Sequence, residues 1–283
     1  MKPKVVLNQI RSFNDIFDDT TLFLKQNWRA LLKAYLFVCG YPLLATLVVY
    51  GFEQMQAVFH LRLGDYTFGV TYFIRVLLTV VNVVLLNLTA LSFMLLYKEN
   101  ENEAPSKTDV YHYVKYYFLR IFTAAFLLSI GLAIAFVAGV LPGIYFLPPA
   151  MLIMTVMVLE NADLEYAFSR AFRLIKNHWW ETAGAILLNV LLIWAVCVLL
   201  MIPVALVAGV IALLGGVPFV DIYKVVIYIS SIVFMFAAIL SPISIALIYF
   251  NLNELNGDKH LLERIEILGR TETKVNHLQA EDY

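Results

Sequence analysis

The chain has 283 residues, of which 61% are hydrophobic and only 14% charged, with a formal net charge of −1. Soluble domains run at about 45–50% apolar and about 25% charged, so this composition excludes an ordinary water-soluble globule, and a mean hydropathy of +0.80 agrees. No bulk basicity points to nucleic acid as a partner.

The first 30 residues are polar and of mixed charge, with no apolar core of 7–15 residues, so a cleavable signal peptide is not expected. They read as a cytoplasmic amphipathic segment. Asp18, Asp19 or Thr20 would cap a helix with Leu24, Trp28 and Leu31 on one face, and Lys25, Arg29 and Lys33 on another.

A spanning helix needs about 20 mostly apolar residues, and residues 31–250 hold six such stretches. They are Leu31–Gly51, Tyr72–Tyr97, Tyr117–Val140, Pro142–Leu159, Ala183–Leu214 and Ile222–Phe250. The third and fourth are parted only by Leu141-Pro142-Gly143, which predicts a tight hairpin turn. The fifth would extend about 48 Å at 1.5 Å per residue, so it must tilt, kink at Pro203 or project past the hydrocarbon. The fold expected is all-α: a polytopic bundle of six transmembrane helices arranged as three hairpins, with cytoplasmic amphipathic surface helices.

With the N-terminus in the cytoplasm, seventeen of the 20 Lys and Arg residues fall to inside segments. Only Arg62, Arg75 and Lys224 fall to the outer side. That bias predicts cytoplasmic N- and C-termini. Surface helices are expected before each odd-numbered span. One is near residues 106–116, opened by a capping box of Ser106 and Asp109. The clearest runs from Asp163 to Trp180, with Leu164, Phe168, Ala171, Phe172, Ile175 and Trp179 on one face. Arg170, Arg173 and Lys176 form a basic ridge opposite, suited to headgroup phosphates. Sliding the N-terminal segment by 151 positions places Lys25 on Lys176 and Trp28 on Trp179, a repeat of amphipathic helix plus hairpin. Residues 251–283 read as a polar cytoplasmic tail, with a short helix over Asp258–Leu268 and disorder beyond Arg270.

Chemistry-bearing residues are sparse. The five histidines have no metal-ligand spacing, and no HExxH, GxSxG, Walker loop or CxxC is present. Neither a cofactor nor a metal is expected. Cys39 and Cys197 lie in apolar runs and read as reduced packing thiols. Within the spans, Arg75 sits near the outer end of span two and is expected to snorkel outward. Asn82, Asn87 and Asn189 are expected to form interhelical hydrogen bonds. Pro142, Pro148, Pro149, Pro203 and Pro242 would free backbone carbonyls, as at the binding sites of transporters.

The stretch from Pro142 to Leu188 carries a Pro-Gly-Ile-Tyr turn (Pro142–Tyr145), a span ending in Glu160, Ser169 with Arg170, and Lys176-Asn177-His178-Trp179-Trp180 before another long span. It resembles the bacterial membrane-domain family named after glycerophosphoryl diester phosphodiesterases. The segment around Ile248–Gly269 is similar to that family's closing pattern. The resemblance implies a six-span bundle in a bacterial inner membrane. It does not imply the named activity, which belongs to a separate soluble barrel for which this chain has no room. The expectation is a non-enzymatic inner-membrane protein that engages lipid headgroups, a membrane-protein partner or a second copy of itself. The interface candidates are Lys25, Trp28, Arg29, Arg170, Arg173, Lys176, Trp179 and Trp180. A small permease or lipid-handling transporter is the alternative.

Overall fold

The computed structural model describes residues 5, 7, 9–58, 70–214 and 219–257. The expected tail helix at Asp258–Leu268, the stretch beyond Arg270 and the loop carrying Arg62 lie outside the described residues.

Helix α1 spans Phe13–Val58, 46 residues or about 69 Å. It starts earlier than the Asp18–Thr20 cap expected from the sequence. The Ser12 amide and hydroxyl donate to the Asp15 carboxylate at 2.9 and 2.6 Å, a box that holds the first turn. The amphipathic segment and span one are therefore a single helix, with no break at residue 30. Helix α2 is Val70–Glu99 and α3 is Lys107–Ala138. The second expected surface helix is likewise the first part of α3. Its capping box forms as read: Ser106 Oγ accepts from the Asp109 amide at 3.3 Å and donates to the Asp109 carboxylate at 2.8 Å.

The α3–α4 turn falls three residues before its expected place. Gly139 adopts φ +151°, which an L side chain rarely tolerates, and α4 begins at Val140. Pro142 then sits in the first turn of α4 (Val140–Leu159), where its missing N–H costs nothing. Only the third amphipathic segment is a separate helix, α5 at Leu164–Ile175, capped by Asp163, which accepts the Tyr166 amide at 3.0 Å. Helix α6 is Trp179–Leu214 and α7 is Phe219–Ala237. The last stretch is not one rod: it breaks at 238–239, and α8 covers 240–257. Pro242 has no N–H for the Ala238 carbonyl, which accepts the Ser241 amide at 3.1 Å instead.

Among the described residues, six helical stretches are long and apolar enough to cross a membrane, and they pair as three hairpins. The chain is an all-α, multi-pass membrane protein. Its core lies where the start of α1, the end of α2, the first half of α3, the second half of α4 and α8 converge. Phe23, Leu88, Phe93, Met94, Leu152, Ile153, Ile243 and Leu247 are buried there. The Phe23 ring meets Phe93 and Tyr97 edge-on at 6.2 and 5.1 Å. We call this end of the bundle basal, and the opposite end, where α1 finishes and α2 begins, distal.

Candidate functional sites

The basal end carries a cleft built from α4, α5 and α6. Ala167, Ala171, Leu174 and Ile175 recur at helical spacing and are buried, so α5 is docked on protein by its small-residue face. Glu160, at the end of α4, precedes α5, and Trp179, just past it, packs on Tyr145 near the start of α4. The stretch 145–160 extends about 22 Å and the 12-residue α5 about 18 Å. Hence α5 runs back along α4. This corrects the expectation of an independent surface helix with its whole apolar face in the acyl boundary.

The basic ridge divides. Arg170 is engaged within the protein: its Nε pairs with Glu160 at 3.1 Å and a terminal nitrogen donates to Asn253 at 2.7 Å. The Tyr249 hydroxyl donates to the same Glu160 oxygen at 2.8 Å, so α4, α5 and α8 are tied at one point. Glu181 pairs with His178 at 2.8 Å rather than with the ridge. Arg173 and Lys176 stay exposed and join no carboxylate among the described residues. With Tyr145, Pro149, Phe172 and Trp179 they line a cleft of about 320 Å³.

The cleft's aromatic wall has a covalent origin. Pro149 cannot donate to the carbonyl four residues back, that of Tyr145. That carbonyl accepts the Trp179 indole N–H at 3.2 Å, and the two rings stack at 5.6 Å and 13°. Trp180 stands edge-on to Trp179 at 4.7 Å and is 82% exposed. Lys25, Trp28 and Arg29 are exposed on α1, with the Arg29 guanidinium 5.4 Å from the Trp28 ring centre, and are not among the residues lining this cleft.

The distal end holds a second cavity, of about 510 Å³, between α1, α2, α6 and α7. Arg75 stands at its wall. It does not simply snorkel: its Nε pairs with Glu53 at 2.8 Å, and its guanidinium lies 5.8 and 5.1 Å from the Tyr50 and Tyr72 rings. Asn82, 2% exposed, also lines it. Its Nδ2 lies 2.7 Å from Thr46 Oγ1 and 3.0 Å from the Pro42 carbonyl, an interhelical link to α1. Asn189 makes the link expected of it, accepting from Ser244 at 3.0 Å, with Thr20 Oγ1 3.2 Å from the same hydroxyl. For Asn87 the expectation fails: its amide donates to Val83 of its own helix at 2.8 Å and joins no other helix among the described residues. Cys39 and Cys197 are free thiols, and no cluster of three metal-ligating side chains occurs among the described residues.

Glu53, Ser230 and Ser231 were not singled out in the sequence, although the two serines line the distal cavity and Glu53 pairs with Arg75 on its wall. One signal for Glu53 existed: a carboxylate at the end of one span facing a cation at the start of the next is the pairing a hairpin would make. No protein-family model, curated protein or solved structure matches the chain.

Proposed function

We propose that this chain is a non-enzymatic, multi-pass protein of a bacterial inner membrane, with cytoplasmic termini, that binds phospholipid headgroups at the α4–α5–α6 cleft. This reading keeps it among the membrane parts of the glycerophosphoryl diester phosphodiesterase membrane-domain family, without a catalytic barrel. The observation that carries it is the pairing of two unneutralised cations, Arg173 and Lys176, with the Trp179–Tyr145 stack along one cleft. Exposed cations beside a bilayer attract phosphate, each contributing about 1 kcal/mol. Tryptophan and tyrosine favour the level of the headgroups because a ring buries apolar area while its polar atom keeps a partner. A membrane partner or a second copy could share that face, but the cleft's charge and size suit a phosphate first.

The test is lipid retention by the purified full chain, measured by native mass spectrometry from nanodiscs of mixed phosphatidylglycerol and phosphatidylcholine. Wild type should retain the anionic lipid preferentially, and Arg173→Gln with Lys176→Gln should remove that preference without loss of insertion. Unchanged retention in the double variant would sink the proposal. Topology is checked separately by accessible-cysteine labelling: His60→Cys and Val220→Cys should react from outside, and Glu103→Cys only from inside.

A lipid-handling transporter is the second reading, favoured by the polar-lined distal cavity, which a dry scaffold bundle would lack.

A further inference from the structure

We infer that the distal cavity is a binding site for an aminophospholipid, with its phosphate on Arg75 and its ammonium on Glu53. The inference goes beyond the basal cleft and uses none of its residues. The cavity's volume, about 510 Å³, falls within the roughly 300–1,000 Å³ of small-molecule sites. Its chemistry narrows the occupant.

First, the hydroxyls along its wall have their hydrogens engaged by their own helices. Thr79 donates to the Arg75 carbonyl at 2.8 Å, Ser230 to Ile227 at 2.8 Å and Ser231 to Tyr228 at 2.7 Å. What these oxygens have left is acceptor capacity. Asn82 adds to it: its Nδ2 is engaged, while its buried Oδ1 has no hydrogen-bond partner in the structure. A buried acceptor left without a donor is destabilising, and an occupant with N–H groups supplies what is missing. Second, the one cation on the wall is balanced. Arg75 and Glu53 are 2.8 Å apart, with side chains 30% and 20% exposed. A head with only negative charge gains Arg75 and meets Glu53. A zwitterion meets both, exchanging one ion pair for two. Third, Leu47, Val83, Leu86, Phe234 and Met235 also line the cavity and give an acyl chain an apolar track.

These three features separate headgroups of similar size. Phosphatidylglycerol lacks the positive charge. Phosphatidylcholine has the same charges as phosphatidylethanolamine, but its quaternary nitrogen carries no N–H. The primary ammonium alone has both the charge and three donors.

The experiment uses the full chain, purified and reconstituted into nanodiscs with equimolar palmitoyl-oleoyl phosphatidylethanolamine, phosphatidylcholine and phosphatidylglycerol, with adducts counted by native mass spectrometry. A charge-assisted hydrogen bond lost from the choline lipid corresponds to about tenfold or more in affinity, so ethanolamine adducts should exceed choline adducts by about that factor. Glu53→Gln and Arg75→Gln should each remove the preference. Should either variant misassemble, the Ser230→Ala, Ser231→Ala pair leaves the ion pair intact and should reduce the preference several-fold. Arg173→Gln with Lys176→Gln should leave it unchanged, which separates this site from the basal cleft. Equal retention of ethanolamine and choline lipids by wild type overturns the inference. So does a preference that survives Glu53→Gln in a correctly assembled protein, or one that disappears with the basal double variant.

Discussion

The two ends of the bundle are built by opposite rules. At the basal end, large side chains interlock: Phe23 and Phe93 are fully buried, and Glu160, Arg170, Tyr249 and Asn253 tie three helices together. At the distal end, α6 and α7 stand off from α1 and α2 and leave a cavity of about 510 Å³. The apolar window of α2 is 50% buried and that of α6 only 6%, although α6 is the more apolar of the two. Apolarity therefore does not predict burial in this chain. In lipid no hydrophobic force drives helix onto helix, so contact follows shape and hydrogen bonding, and α6 past Ile193 offers a nearly unbroken aliphatic surface with neither. The difference teaches that close packing and open volume are held in separate regions.

Truncating one ring at each end is the strongest attempt to break that division. Phe93→Ala should cost about 3–5 kcal/mol, the range for an aromatic removed from a close-packed core. Phe234→Ala, at a residue 58% exposed on the distal wall, should cost about 0.5 kcal/mol. Reversible unfolding in mixed micelles, followed by circular dichroism, reads both, and equal losses would erase the contrast. The basal polar tie comes next. Glu160→Ala strands the Arg170 guanidinium and the Tyr249 hydroxyl in partly buried positions and should cost about 2 kcal/mol, with Arg170→Met in the same background recovering part of it.

The hairpin tip offers a test of similar or smaller size. A methyl group at Gly143 would overlap the Phe136 ring, so Gly143→Ala should destabilise by about 1–3 kcal/mol unless the ring swings outward. Phe136→Ala should then restore most of the loss, locating the strain in that single contact. The smallest expected effect is at the cleft wall. Pro149→Ala returns an N–H to compete for the Tyr145 carbonyl, at less than about 1 kcal/mol. In a background where Trp28, Trp194 and Trp180 are phenylalanine, Trp179 emission should shift to the red as its indole N–H loses the carbonyl to the backbone. An unmoved spectrum would mean that the proline does not hold the tryptophan.

The sequence by itself determined what depends on one segment and its solvent. Six apolar stretches and the Ser106–Asp109 box are local facts, because helix length and capping are settled within a few residues. Tertiary structure decided every matter of partnership. Arg170, Arg173 and Lys176 look alike on a helical wheel, yet only Arg170 meets a carboxylate, because the α4–α5 connection brings Glu160 beneath it and leaves the other two at the cleft. Asn82 and Asn87 share a span, but only Asn82 faces α1, since five residues on a helix of 3.6 per turn point nearly opposite ways. The continuity of α1 through residue 30 was hidden for the same reason. An amphipathic start and an apolar finish look like two elements in composition, whereas the backbone has no proline, glycine or cap at the junction to end the helix.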